Sequence, residues 1–144
     1  MKEEERMENK KKLTIVALVE AIVAVFMWIS VTKIAPVCTG MLELTSGKQV
    51  HMKCHYASVV FVFIAILLLV NAIIAIVAKP SIISAVMTII VAGLIYVTLN
   101  DTIGIGICAN PEMACQMTAP IVKVCGTVEI VCGAIYAAIA CKEK

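Results

Sequence analysis

Four long apolar runs divide the chain, and each is long enough to cross a bilayer as an α-helix. The runs cover residues 13–31, 57–78, 82–99 and 118–141. A helix needs about 20 predominantly apolar residues to span the hydrocarbon core of a membrane. The pattern therefore predicts an all-α fold, an integral membrane four-helix bundle built from two helical hairpins.

Polar segments separate these runs and close the chain at both ends. They are a charged tail (1–12), two loops (32–56 and 100–117), a tight turn (79–81) and a short second tail (142–144). Ser81 stands directly before the third run, so it is the expected N-cap of that helix. Residues 13–141 are thus predicted to form one transmembrane domain between two tails.

Lysine and arginine residues are distributed unevenly between the two sides of the predicted membrane. Eight of the 12 lie on the side of the chain ends, and four lie on the side of the loops. The positive-inside rule therefore places both termini in the cytoplasm and both loops outside the cell membrane. The expected partners are the lipid bilayer and either a second membrane protein or further copies of this chain.

Composition supports a membrane location and argues against a nucleic-acid partner. Apolar residues make up 62% of the chain, and the mean hydropathy is +1.03. Soluble domains are only about half apolar. The net charge is +2, and the basic residues cluster at the ends of the apolar runs, where they report orientation.

Four of the seven cysteines lie in the two loops, in an order that both hairpins share. Cys38 precedes Met52-Lys53-Cys54-His55-Tyr56, and Cys108 precedes Met113-Ala114-Cys115-Gln116-Met117. Cysteines outside the cytoplasm favour two disulfides, which have three connectivities. The simplest pairs Cys38 with Cys54 and Cys108 with Cys115, and would stabilise each loop by roughly 2–4 kcal/mol.

A soft-metal site is an alternative interpretation of the same two segments. Thiolate and thioether ligands select Cu(I) and similar ions, and imidazole binds copper as well. The candidate ligands are His51, Met52, Cys54, His55, Met113, Cys115 and Met117. Their spacing matches no standard zinc module, so the cofactor expected under this interpretation is a copper-like ion.

Thiol–disulfide exchange is a third interpretation of the loop cysteines. The Cys-x-x-Cys motif that redox enzymes usually use is absent from the sequence. However, Cys54 and Cys115 stand just before two predicted helices, whose N-termini favour a thiolate. The redox state of the sulfurs decides between these interpretations, because a disulfide and a thiolate site exclude each other.

Polar side chains also lie inside the apolar runs, where they are costly to bury. They are Glu20, Asn71, Cys125, Glu129 and Cys132. A rise of 1.5 Å per residue places Glu20 about 12 Å and Glu129 about 20 Å from the tail side of the membrane. Such carboxyl groups are functional candidates, as a proton or ion relay. Alternatively, they join the helices by hydrogen bonds or contact a partner protein.

The order of the cysteine motifs over four apolar runs carries a family resemblance. Cys38, Met52-x-Cys54-His55, Cys108 and Met113-x-Cys115 resemble the small prokaryotic membrane family named domain of unknown function 4418. The likeness covers most of the chain from Leu13 onward. It implies a four-helix membrane protein with outward cysteines, no settled activity, and an association with transporters of the ATP-binding-cassette type.

No soluble catalytic motif accompanies these features. The sequence lacks a glycine-rich phosphate loop, and its two histidines both lie in the first loop. The sequence therefore predicts a non-enzymatic accessory subunit of a transport or envelope complex, with loops held by cysteines. The alternatives are an outward-facing soft-metal binding or transport protein and a membrane thiol–disulfide oxidoreductase.

Overall fold

Four long helices make up most of the protein. The structure is a computed structural model that describes residues 2–38, 40–78 and 81–142. The helices are α1 (Lys2–Ile29), α2 (Lys53–Val77), α3 (Ile82–Leu99) and α4 (Cys115–Lys142). All four are long and apolar enough to cross a membrane, which confirms the predicted all-α membrane bundle. The predicted turn at residues 79 and 80 and the last two residues of the second tail lie outside the described residues.

The helices pack in a ring in the order in which they occur along the chain. α1 lies against α2 and α4, and α3 lies against the same two neighbours. Because successive helices are antiparallel, one end of the bundle carries the start of α1, the end of α4 and the facing ends of α2 and α3. We call this the tail end. The opposite end carries residues 35–38, 40–52 and 100–114, and we call it the loop end.

Three of the helices are longer than the apolar runs that predicted them, whereas α3 has the bounds of its run. α1 begins at Lys2, so most of the charged segment assigned to a tail forms its first three turns. Acidic residues occupy its first turn, where their charges interact favourably with the positive end of the helix dipole. One turn further along, Glu8 forms an ion pair with Lys12 at 2.7 Å. At the loop end, α2 and α4 include residues 53–56 and 115–117, which the sequence assigned to loops.

Two features of the first loop have no counterpart in the expected pattern. α1 continues into a π-helical turn at Ser30–Ile34, which ends where the Ala35 N–H donates to the Ser30 carbonyl at 2.8 Å. Strands β1 (Met41–Glu43) and β2 (Gln49–His51) then form a small antiparallel hairpin. The connecting turn requires Gly47, because its φ of 75° lies in the left-handed region.

Helices α3 and α4 approach each other closely at small residues. A Cβ atom added at Gly133 would lie 2.9 Å from Ile89 Cγ1 and 3.3 Å from the Ala85 carbonyl oxygen. The absence of a side chain at Gly133 therefore lets the two helices approach closely. α3 itself begins as expected, because the Ser81 hydroxyl accepts a hydrogen bond from the Ile83 N–H at 3.3 Å.

The bundle core consists of two apolar clusters, and large apolar residues cover the outer faces of the helices. The larger cluster, near the loop end, includes Met27, Phe61 and Ile95, all at most 2% exposed. The smaller, near the tail end, is built around Leu13 and Tyr136. Exposed apolar side chains such as Phe63, at 62%, need a hydrocarbon environment, so the outer faces of the helices fit a lipid bilayer.

Candidate functional site: a four-cysteine centre at the loop end

The four loop cysteines converge on one point at the loop end of the bundle. The Sγ atoms of Cys38, Cys54, Cys108 and Cys115 all lie within 4.8 Å of one another. Cys54 and Cys115 are 0% and 1% exposed, and the other two are half-buried. We call this group the four-cysteine centre. Among the described residues, it is the one group of three or more cysteine, histidine or acidic side chains close enough to share a metal ion.

Each of the four sulfurs comes from a different segment of the chain. Cys54 lies in the first turn of α2, and Cys115 is the first residue of α4. Cys38 follows the π-helical turn, and Cys108 lies in the connection between α3 and α4. Because two helices begin at the centre, their N-terminal N–H groups and dipoles favour negative charge on the sulfurs.

The segment that carries Cys38 is attached to α4 by a buried hydrogen bond. The Thr118 hydroxyl donates to the Ala35 carbonyl at 2.6 Å, across 83 residues of sequence. Thr118 is 2% exposed and lies one turn from Cys115 on α4. The bond therefore joins the end of the first span to the helix that begins at the centre. Sequence reasoning missed this bond, since a threonine in a helix carries no signal for a partner so distant.

Replacing Thr118 by valine should loosen this attachment. Valine keeps the shape of the side chain but leaves the buried Ala35 carbonyl without its donor, which should cost about 1 kcal/mol of stability. Thermal unfolding in detergent measures the effect. Thr98→Val is the matched control, because the Thr98 hydroxyl is also buried but bonds the Leu94 carbonyl of its own helix at 2.7 Å. Equal shifts for the two variants would contradict a specific role for the Thr118 bond.

Cys108 is positioned by a folded-back turn at the end of α3. The Gly104 N–H donates to the Asn100 carbonyl and the Gly106 N–H to the Thr98 carbonyl, both at 2.9 Å. Gly106 has a φ of 70°, which favours glycine. The side-chain amide of Gln116 then donates to the Cys108 carbonyl at 2.6 Å. Both glycines and Gln116 therefore help to place this sulfur beside α4.

The surroundings of Cys38 favour its thiolate form. Burial raises the pKa of this thiol, but hydrogen bonds from the backbone N–H of Cys115, from the neighbouring thiols and from the Ala114 N–H lower it and outweigh burial. The pKa of Cys38 therefore lies below its ordinary value. A thiolate is the form of cysteine that binds metal ions and attacks disulfides.

The two histidine candidates do not belong to the four-cysteine centre. The His51 and His55 rings stack on each other with centroids 4.3 Å apart, and neither is part of the sulfur group. Of the methionine candidates, Met117 is 71% exposed, and Met52 precedes α2 with its Cε 3.1 Å from where a Cβ atom would stand at Gly40. Of the cysteine and histidine candidates, the centre contains Cys54 and Cys115, and the structure adds Cys38 and Cys108 to them.

The contacts among the four sulfurs do not single out one disulfide pairing. The seven cysteines are free thiols, and the Cys108 thiol donates to the Cys54 sulfur at 3.5 Å. Cys38 interacts with both Cys54 and Cys115, and Cys115 also interacts with Cys108. Sulfur contacts therefore occur within each hairpin, as in the simplest pairing by sequence, and also between the two hairpins.

The polar residues of the spans form a separate group deeper in the bundle. Glu20 and Glu129 are 3% and 1% exposed, and Cys125 is buried on the same side of α4 as Glu129. Asn71 donates from its amide to the Thr88 hydroxyl at 2.8 Å, which joins α2 to α3. Cys132 is half-buried near the two carboxyl groups.

Comparison with known proteins yields one match. A family model described as domain of unknown function 4418 (DUF4418) matches residues 14–139, which span all four helices and the four-cysteine centre. No curated protein and no solved structure matches the chain.

Proposed function

The chain belongs to the domain of unknown function 4418 family, and we propose that this member binds one soft or borderline metal ion at the four-cysteine centre. The observation that carries the proposal is the mutual distance of the four Sγ atoms, at most 4.8 Å. A tetrahedral thiolate site with metal–sulfur bonds of about 2.3 Å has sulfurs about 3.8 Å apart. Small side-chain rotations would therefore bring all four sulfurs onto one ion.

The donor set indicates which ions fit. Four thiolates in a tetrahedral arrangement are typical of Zn²⁺, of Cu(I) in soft-donor sites, and of iron–sulfur centres. The two helix N-termini at the centre offset part of the negative charge that four thiolates carry. Because a sulfur from each of the two hairpins is buried at the centre, a bound ion would also hold the hairpins together. The bound ion would thus have a structural or a relay role at the membrane surface.

An accessory subunit with disulfide-bonded loops is the second candidate function. The 3.5 Å contact between Cys54 and Cys108 favours it, because this pair and the pair Cys38–Cys115 would join the two hairpins covalently. Each bond would stabilise the loop end by roughly 2–4 kcal/mol. In that case the protein is an accessory subunit of a transport or envelope complex, and its rigid loop end offers a surface to a membrane partner.

Thiol–disulfide exchange is supported by the lowered pKa of Cys38. A half-buried thiolate beside three further thiols is suited to attack a disulfide and to resolve the mixed disulfide. This chemistry requires free sulfurs. A tightly bound metal ion would therefore suppress it.

Metal content and thiol titration of the same preparation separate the three functions. The protein is purified in detergent without chelators and without oxygen, analysed for zinc, copper and iron, and alkylated after denaturation. We expect about one ion per chain and seven alkylated cysteines. Two disulfides would instead leave only Cys125, Cys132 and Cys141 to be alkylated, with no metal bound. Free thiols without metal that reduce an added aromatic disulfide would support the exchange reaction.

The orientation of the centre is part of the proposal. We place both termini in the cytoplasm and the four-cysteine centre at the outer surface of the cell membrane, because lysine and arginine are concentrated at the tail end. A membrane-impermeant maleimide applied to intact cells should label Lys48→Cys, which stands exposed beside the hairpin turn. It should not label Cys141, which is exposed at the end of α4. The reverse pattern would place the centre in the cytoplasm.

A further inference from the structure

A layer of polar side chains separates the two apolar clusters of the core, and every helix contributes to it. Along α1, Glu20 falls between Ala17 of the tail-end cluster and Ala24 of the loop-end cluster. Thr88 falls between Ala85 and Val91 on α3 in the same way. Glu129 on α4 and Asn71 on α2 occupy the corresponding positions. The four side chains therefore lie at one level inside the bundle.

Hydrogen bonds connect part of this layer. The Asn71 amide donates to the Thr88 hydroxyl at 2.8 Å and to the Ser84 carbonyl at 3.1 Å, and its oxygen accepts from the Ser84 hydroxyl at 3.2 Å. The Thr88 hydroxyl also interacts with Glu20. Asn71, Ser84 and Thr88 are therefore satisfied and fixed in place, so they form a rigid polar wall beside the Glu20 carboxyl.

The two carboxyl groups are different, because three of their four oxygens have no hydrogen-bond partner. Glu20 Oε1 and both oxygens of Glu129 have no hydrogen-bond partner, and each of the two residues is at least 97% buried. The two carboxyls interact electrostatically with each other. No lysine or arginine is among the buried residues of the described chain. A negative charge on this pair therefore has to be balanced by a cation that the buried side chains of the protein do not supply.

We propose that Glu20 and Glu129 form a binding site for a small exchangeable cation, H⁺ or Na⁺, between α1 and α4. Carboxylate and hydroxyl oxygens are hard ligands, and Thr88 supplies a hydroxyl beside Glu20. A proton on one carboxyl would let it donate to the other, and Na⁺ would bind the same oxygens. The site lies in the middle of the bundle and does not depend on metal binding by the four-cysteine centre.

Among the described residues, the titratable side chains that interact with the pair belong to α4. Cys125 and Cys132 interact electrostatically with Glu129, and Cys132 also with Glu20. Tyr136 is buried two turns from Glu129. The residues that α2 and α3 contribute, Asn71 and Thr88, are uncharged. Any uptake or release of a cation at this level is therefore expected to centre on the two carboxyls.

Infrared difference spectroscopy tests the proposal directly. Protein in lipid is exposed alternately to mildly acidic and mildly alkaline buffer, and then to NaCl and choline chloride at one pH. We expect a protonated-carboxyl band that disappears on the alkaline side and is absent from Glu129→Gln. Glu20→Gln should shift the band or remove it, because each carboxyl is the other's partner. Glu112→Gln, which alters an exposed loop carboxyl, should leave the band unchanged.

The salt exchange identifies the cation. Loss of the same band in NaCl but not in choline chloride shows Na⁺ binding, and a band that responds to pH alone shows a proton site. A carboxyl band that responds to neither exchange, or one that survives in Glu129→Gln, overturns the proposal. Circular dichroism and the metal content of Glu129→Gln should match those of the unaltered protein. A failure here is therefore distinguishable from a failure of the four-cysteine centre to bind metal.

Discussion

Cys54→Ser should abolish metal binding at the four-cysteine centre. Cys54 is completely buried, and its sulfur lies 3.5 Å from that of Cys108, so no other side chain can take its place. A serine hydroxyl is a poor ligand for a soft ion and is not deprotonated at neutral pH. Substitution of the residues that orient metal ligands already lowers metal affinity by about 10–100-fold. Loss of a ligand itself should therefore lower metal affinity by more than about 100-fold. Metal analysis after gel filtration measures the loss.

The same substitution should also lower the stability of the protein. An ion present at 100 times its dissociation constant stabilises the folded state by about 2.7 kcal/mol, and this contribution disappears with the site. A strong chelator should therefore lower the unfolding temperature of the unaltered protein but not that of Cys54→Ser. Cys141→Ser is the matched control, since this exposed thiol lies at the opposite end of α4. Full metal occupancy in Cys54→Ser would contradict the proposal that the four-cysteine centre binds the ion.

The four spans could be predicted from the sequence, because their signal is local. Twenty apolar residues without charge specify a membrane helix whatever the rest of the chain does. The ends of the spans were less well defined. The apolar runs do not include the polar residues near 53–56 and 115–117, but the backbone is already helical there. The hairpin of β1 and β2 was missed because three-residue strands carry too little alternation to be recognised.

The residues of the four-cysteine centre could be predicted from the sequence, but their convergence on one point could not. The sequence singled out the right sulfurs, but neighbours in sequence suggested pairs within each hairpin. Convergence of all four depends on the packing of α1 against α4 and of α2 against α3, which no local spacing encodes. The two histidines were grouped with the sulfurs because they adjoin Cys54, yet they stack on each other.

The depth of the carboxyl groups shows the same limit of local reasoning. Counting residues from the nearest charges placed Glu20 about 12 Å and Glu129 about 20 Å from the tail side. In the structure the two carboxyls interact across one polar layer. The two counts start from Lys12 on α1 and Lys142 on α4, and charges on different helices need not lie at one level, so the counts share no common origin.

Gly104→Ala should disrupt the loop end while leaving the bundle intact. A Cβ atom at Gly104 would overlap the Val97 carbonyl oxygen and lie 2.8 Å from the carbonyl carbon and 2.9 Å from Thr98 Cα. These are backbone atoms at the end of α3, so the turn has to move, and Cys108 moves with it. Overpacking of this kind costs about 1–3 kcal/mol. We expect a lower unfolding temperature together with weaker metal binding.

Gly93→Ala provides the contrast, because it introduces the same methyl group within α3 without a clash. No atom lies within 4 Å of a Cβ added at Gly93, and alanine favours a helix over glycine by about 0.5–1 kcal/mol. This variant should therefore be as stable as the unaltered protein or more so, with full metal occupancy. The two alanines are thus expected to shift the unfolding temperature in opposite directions. A Gly104→Ala protein that keeps its ion and its stability would show that Cys108 does not depend on this turn.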